Sequence, residues 1–238
     1  MEIHDVMEDF AKEGSNMIVF CLSTAMSGTY NLYQKAKEMI ESKYSKIKIY
    51  IVDTMRFGPG IGLMCINASI DRQNGLSINE IYEKALKNKN NYHQMGWLDD
   101  LGFVAKKGRI TSSQAFFGQL IGIKPLGEFN NCGLTTILSK AKGESQAYKA
   151  IIAYIKATII NPSNQVLILA HSIRERQSEV LKQLIIDEIK PLDIYTVELG
   201  PSCGINVGPG LLACYYVGKE ISPDLLEEKQ LMESILNK

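Results

Sequence analysis

Short apolar runs alternate with segments of helical periodicity over the first third of the chain. Residues 17–22 and 47–52 are typical of strands covered on both faces. Apolar residues at helical spacing predict helices over residues 6–12, 29–42, 61–70 and 77–86, the last beginning with a capping box. Strands that alternate with helices predict an α/β fold with a mainly parallel sheet layered by helices.

A second set of elements follows the polar residues 87–91, which we interpret as a linker. Strands are predicted near residues 92–95, 165–170 and 193–199, and helices near 99–106, 112–121, 144–157 and 174–186. A hairpin joins residues 127–129 to 134–138 through a turn at 131–133. We therefore predict two α/β lobes, an N-terminal lobe at residues 1–90 and a C-terminal lobe at residues 91–238.

Composition and charge exclude several function classes. With 238 residues and 45% hydrophobic composition, the chain can bury a substantial core. The 26 basic and 26 acidic residues balance, which argues against nucleic acid or an anionic membrane surface as a partner. Five scattered cysteines without metal-ligand spacing indicate reduced thiols, no metal site and a cytoplasmic location. No signal peptide and no apolar run of membrane-spanning length is present, so we expect no membrane insertion.

The loop after the first strand is the first candidate site. It carries four hydroxyl side chains and a glycine immediately before a helix, in the sequence LSTAMSGTY at residues 22–30. The Ser27 hydroxyl and the amides of Gly28 and Thr29 could hold a carboxylate or phosphate, because a helix N-terminus offers unpaired N–H groups. A plain helix cap at Ser27 or Thr29 explains the same residues equally well.

Other candidates are weaker. The glycines at residues 58–62 lack dinucleotide-loop spacing and favour a tight turn between strand and helix. His171 ends an apolar strand and could line a cleft. A hydrolase with Ser27 as nucleophile and His171 as base is a further alternative, although no G-x-S-x-G motif is present. The glycines and prolines of residues 200–210 predict a rigid loop, and the apolar run after it must be buried as strand or helix.

Taken in order, these segments resemble the DegV family of fatty-acid-binding proteins from about residue 6 to residue 219. The resemblance rests on motifs in register, among them S-x-x-x-S-G-T-Y, D-D-L-x-x-x-x-K-K-G-R-I, G-x-L-I-G-I-K-P and G-P-x-x-G-x-N-x-G-P-G. It implies a two-lobed α/β protein that holds one long-chain fatty acid in a tunnel between the lobes.

The family resemblance also implies a role without catalysis. Such proteins carry the lipid for a bacterial fatty acid kinase, which phosphorylates the carboxylate to an acyl phosphate for phospholipid synthesis. No cofactor is implied beyond the bound fatty acid. Ser27, Gly28, Thr29 and Asn206 would bind the carboxylate, and Arg109 would lie where the kinase docks or the phosphoryl group arrives. The expected tunnel wall comprises Phe57, Ile61, Met64, Phe116, Phe117, Leu120 and Ile121.

Two departures from the family pattern are visible. The family's usual leading strand-helix-strand segment is missing ahead of residue 1, so we expect a truncated or divergent member whose first sheet exposes an edge. Asn206 stands where the family's G-A-H-T-G-P-G motif has histidine, and an amide can donate a hydrogen bond but cannot be cationic. An interaction module without bound lipid is therefore the alternative function.

Overall fold

The computed structural model describes residues 2–110 and 122–237, and within them the strands form a two-stranded and a six-stranded sheet. The helices are α1 Glu2–Lys12, α2 Thr29–Lys43, α3 Gly58–Gln73, α4 Ile78–Asn88, α5 Leu101–Lys106, α6 Gly143–Thr158, α7 Glu175–Glu188, α8 Pro201–Val207 and α9 Leu226–Leu236. The strands are β1 Met17–Cys21, β2 Ile49–Asp53, β3 Tyr92–Leu98, β4 Ile123–Phe129, β5 Thr135–Lys142, β6 Val166–His171, β7 Asp193–Glu198 and β8 Leu211–Val217. The predicted helix at residues 112–121 lies outside the described residues.

The smaller sheet confirms the predicted parallel strands layered by helices. β1 and β2 pair in parallel, with Met17 opposite Ile49. The apolar faces of α1 and α2 pack together and onto this pair, and they enclose a separate hydrophobic cluster that contains Met7, Ile40 and Ile51. The capping box predicted at the start of α4 is also present, since the Ser77 hydroxyl accepts a hydrogen bond from the backbone of Glu80 and the Glu80 carboxylate accepts one from the backbone of Ser77.

The prediction of a glycine turn at residues 58–62 is wrong, because these residues form the start of the helix α3. The helix begins at Gly58, and Pro59 occupies its first turn, where a missing N–H costs nothing. Gly60 lies against Arg56, where a Cβ atom would come within 3.2 Å of the arginine side chain. α3 packs on β1 and on β6 and β8, so its buried Leu63 and Met64 belong to the core of the larger sheet.

The larger sheet has the order β5-β4-β3-β8-β6-β7. Its neighbouring strands are antiparallel except for the parallel pair β6 and β7. The predicted hairpin is confirmed by β4 and β5, and the apolar run after residue 210 is the central strand β8. The residues interpreted as a linker are instead the end of α4 and a 3-10 turn, Lys89–Asn91, that leads directly into β3. The division into lobes at residues 90 and 91 stays a prediction.

Two C-terminal elements differ from the expectation. The predicted rigid loop at residues 200–210 contains the short helix α8, and Gly208 and Gly210, which follow its end, have φ of 75° and 100°. The helix α9, which the pattern analysis did not predict, packs on α6 and β5. Among the described residues, no helix combines the length and the hydropathy that a membrane span requires.

A buried polar cluster joins β3 to β4 inside the core. Glu128 and His93 are almost completely buried, and His93 Nδ1 lies 2.7 Å from Glu128 Oε2. The other ring nitrogen of His93 lies 2.7 Å from the backbone oxygen of Lys219, and the ring stacks on Tyr216. His93 is thus a structural histidine with both nitrogens paired.

Candidate functional site

An apolar cavity lies between β3, β4 and β8 of the larger sheet and the helix α8. Its empty space, counted together with the solvent at its opening, is about 570 Å³. Apolar side chains make most of its wall, among them Phe57, Trp97, Val104, Ile137, Val207 and Leu211. The polar side chains in the wall are Gln94, Arg109, Thr135 and Asn206 among the described residues. An apolar chain with one polar end fits this distribution.

A row of small residues lines the cavity. Gly127, Gly96 and Ala213 are register partners on the neighbouring strands β4, β3 and β8, and all three line the cavity. A Cβ atom on Gly96 would lie 2.0 Å from the backbone oxygen of Leu212, so glycine is required there by the close approach of the strands.

The hydroxyl-rich turn between β1 and α2 lies next to this cavity. Met26 lines the cavity and directly precedes Ser27, whereas Ser27, Gly28 and Thr29 are not among the described lining residues. Two of the four hydroxyls hold the turn itself: Thr24 donates to Asp53 at 2.6 Å, and the Ser23 hydroxyl accepts from the backbone of Ala25.

The remaining two hydroxyls of this turn are bonded to each other at the start of α2. Ser27 Oγ donates to Thr29 Oγ1 at 3.2 Å and accepts from the Thr29 N–H at 3.3 Å. Both bonds are long, and Gly28 rather than Ser27 occupies the N-cap position. Among the described residues, the Gly28 N–H meets no acceptor. Ser27 therefore satisfies one helix N–H, and its hydroxyl proton can be redirected to a ligand at small cost.

Asn206, the fourth predicted carboxylate-binding residue, and Arg109, predicted where the kinase docks or the phosphoryl group arrives, both reach the cavity. Arg109 and Asn206 both line it, and Asn206 is carried there by α8, where its amide donates to the backbone oxygen of Ser202 at 3.0 Å. Arg109 donates a hydrogen bond to the backbone oxygen of Lys107. Arg109 is the cationic side chain of the wall within the described part of the chain.

Only some of the predicted tunnel residues line the cavity in the structure. Phe57 lines the cavity. Met64 is buried in the core and borders a separate depression near Phe20, and Ile61 is half-buried on α3; neither is among the described cavity residues. The remaining predicted positions, Phe116, Phe117, Leu120 and Ile121, lie outside the described residues. Contact of each predicted residue with lipid stays a prediction.

Gln94 is a cavity residue that the sequence reasoning missed. It is 5% exposed, and its side-chain oxygen accepts a hydrogen bond from the Tyr215 hydroxyl at 2.8 Å. Burial holds the pKa of Tyr215 well above its usual value, so this hydroxyl stays a donor. A glutamine within the otherwise buried strand β3 was the available signal, because a polar side chain in a core strand needs a partner.

Ser27 and His171 do not form the nucleophile and base pair that the hydrolase alternative requires. Within the described residues, Ser27 Oγ bonds to Thr29, and the one hydrogen-bond contact of the His171 ring is with the backbone N–H of Arg174 at 3.5 Å. A catalytic serine needs its base within hydrogen-bond reach. The arrangement observed here is that of a binding cavity.

Comparisons with known proteins agree with this architecture. A family model described as "Uncharacterised protein, DegV family" matches residues 1–219. A DegV domain-containing protein of Clostridium perfringens is 32% identical over 219 residues, which are 92% of this chain and 75% of that protein.

Solved structures share the fold at lower identity. A DegV family protein from Eubacterium eligens loaded with heptadecanoic acid has a TM-score of 0.81 at 18% identity and covers 91% of this chain and 78% of its own. The fatty acid kinase B3 protein of Streptococcus pneumoniae, loaded with linoleic acid, has a TM-score of 0.78 at 21% identity, with coverage of 91% and 76%. The family match across most of the sequence and the shared fold lead to one conclusion: this chain belongs to the DegV family.

Proposed function

We propose that this protein binds one long-chain fatty acid in the cavity and presents the carboxylate to a fatty acid kinase, which forms the acyl phosphate. The observation that carries the proposal is a cavity whose walls are mostly apolar and hold few polar side chains among the described residues. In this proposal the protein is a carrier in the cytoplasm and the kinase supplies the catalysis.

The energetics of such a ligand match the distribution of apolar and polar groups. Burying about fourteen methylenes at roughly 0.8 kcal/mol each contributes on the order of 10 kcal/mol before ordering costs, so the tail supplies the affinity. A carboxylate left unpaired in a dry site would cost several kcal/mol. Arg109 and Asn206 in the wall, and Ser27 and the Gly28 N–H beside Met26, are the groups available to pair with it.

The fatty acids in related structures support the ligand class. Two fold relatives hold heptadecanoic acid and linoleic acid, which are both long-chain carboxylic acids. The name of the second relative, a fatty acid kinase B3 protein, supports the kinase as partner. An interaction module that has lost its lipid is the competing function, and it predicts an empty cavity in the purified protein.

The test is the lipid content of the purified protein. Mass spectrometry of an organic extract should detect a fatty acid at up to one equivalent per chain. Ser27→Ala should retain less fatty acid while unfolding within about 1 kcal/mol of the parent, which is the scale of a lost helix cap. Ser42→Ala is the matched control, because Ser42 lies near the other end of α2 and its hydroxyl contacts the backbone oxygen of Met39.

Three outcomes would contradict the proposal. Undetectable lipid in the parent protein, together with no binding of added fatty acid, would favour the interaction module. Equal lipid retention in Ser27→Ala and Ser42→Ala would remove Ser27 from the head-group site. Turnover of a chromogenic ester that Ser27→Ala abolishes would make the protein a hydrolase.

A further inference from the structure

A histidine and two glutamates converge where β6 and β7 end, and none of the three is among the described residues that line the cavity. His171 is the last residue of β6, and its register partner on the parallel strand β7 is Glu198. Glu175 is the first residue of α7, four positions after His171. Partnered residues of parallel strands project to the same face of a sheet, so the topology itself places His171 and Glu198 side by side.

The ligand-forming atoms of these residues are close together. One ring nitrogen of His171 and one carboxylate oxygen each of Glu175 and Glu198 all lie within 4.8 Å of one another. Within the described residues, no hydrogen bond or ion pair satisfies either carboxylate. Two carboxylates at this spacing repel each other unless a cation lies between them.

His171 has only a weak polar contact within the described residues. The residue is 6% exposed, and the one polar contact of its ring in the described chain is the Arg174 N–H, 3.5 Å from Nδ1. That separation is the long limit of a hydrogen bond, so the ring is not committed to a strong partner and can turn to a metal ion. The guanidinium of Arg174 provides no countercharge here, because it binds Asp99 with contacts of 2.6 and 2.9 Å.

We propose that His171, Glu175 and Glu198 form a binding site for a divalent transition metal ion, with Zn²⁺ as the best fit. One imidazole and two carboxylates suit zinc better than Mg²⁺ or Ca²⁺, which prefer all-oxygen sites. Ligand atoms in a tetrahedral zinc site lie about 3.3 Å apart, given bonds of about 2.0–2.2 Å. Both glutamates are exposed, so rotation of their side chains brings their oxygens to that spacing. The fourth position stays open to water.

The site would tie three elements together. A metal ion held by these residues joins the end of β6, the end of β7 and the start of α7. The helix α8 begins at Pro201, three residues after Glu198, and it carries Asn206 to the cavity wall. Because the three ligands come together only in the folded chain, metal binding should stabilise the native state.

The experiment measures zinc binding to the chelator-treated protein at neutral pH by calorimetry. Cys65 and Cys132 are exposed thiols that can also bind zinc, so both are replaced by serine in every protein tested. We expect one zinc site and a rise of the Tm on addition of ZnCl₂. Glu198→Gln and Glu175→Gln should each weaken this binding by more than about 10-fold, the lower end of the loss seen for second-shell partners.

Two further variants complete the test. Glu83→Gln is the matched control, because Glu83 is exposed on α4 and should leave zinc affinity and the Tm rise unchanged. His171→Asn should abolish the site. If the His171→Asn variant does not fold because the substituted residue is buried, the variants of the two exposed glutamates still decide the test. The absence of zinc binding, or equal affinity in Glu83→Gln, Glu175→Gln and Glu198→Gln, would overturn the proposal. The lipid content is measured separately, so failure of the zinc site leaves the fatty-acid proposal standing.

Discussion

Removing the carboxylate of Glu128 should destabilise the fold more than any exposed substitution. Glu128 is completely buried, and its Oε1 accepts the backbone N–H groups of Gln94 and Phe129, each at 2.7 Å. Its Oε2 faces His93 Nδ1 at 2.7 Å and the Tyr154 hydroxyl at 3.4 Å. One side chain therefore satisfies four polar groups in the core between β3, β4 and α6.

The magnitude follows from the groups that Glu128→Ala leaves without a partner. Each buried donor that loses its acceptor costs about 1–3 kcal/mol, and removing one partner from a buried pair typically costs about 3–5 kcal/mol in total. Water entering the new space would satisfy part of this loss. We therefore expect Glu128→Ala to lower the free energy of unfolding by at least about 3 kcal/mol.

Glu128→Gln distinguishes lost hydrogen bonds from lost volume. Its amide oxygen can keep both backbone N–H groups, and its amide N–H can donate to His93 Nδ1 while His93 Nε2 donates to the Lys219 backbone oxygen. Glutamine should therefore cost only about 1 kcal/mol. Urea unfolding followed by circular dichroism measures both variants. A loss below about 1 kcal/mol in Glu128→Ala, or equal losses in the two variants, would refute this account of the cluster.

Three further predictions follow from the same structure. Gly96→Ala should cost at least about 2 kcal/mol in urea unfolding, because its Cβ would lie 2.0 Å from a backbone oxygen, whereas Gly204→Ala, inside α8 with no neighbour closer than 3.9 Å, should not destabilise the protein; equal losses would contradict this. Asn206→His should strengthen fatty-acid retention more at pH 6 than at pH 8, because an imidazole is cationic below a pKa of about 6.5, and a pH-independent effect in binding titrations would argue against contact with the carboxylate. A thiol reagent at pH 8 should label the exposed Cys132 in the native protein but reach Cys21 only in urea, because burial raises the pKa of Cys21 to about 12; native labelling of Cys21 would be the contrary result.

The local sequence pattern was sufficient to predict most of the described helices and strands. The strands β1 and β2 and the helix α2 between them are recognisable from apolar runs and helical spacing, because a strand or helix must bury one face wherever it lies in the fold. The capping box at Ser77 could also be predicted from the sequence, because all its hydrogen bonds lie within four residues. Errors fell on residues 58–62 and 200–210, where glycine and proline favour a turn but also begin or end a helix. A further error fell on the polar residues 87–91, which end α4 and form a 3-10 turn instead of a linker.

What the sequence by itself determined, therefore, is the order of the elements, the family and the composition of the hydroxyl-rich turn. Only the tertiary structure decided which residues meet. The small residues Gly127, Gly96 and Ala213 lie on three strands far apart in the chain, and their row across the sheet exists only through register. The convergence of His171 with Glu198 has the same origin, because it depends on the pairing of β6 with β7. Periodicity reports which face of an element is buried, whereas strand order and register depend on long-range packing that no local pattern encodes.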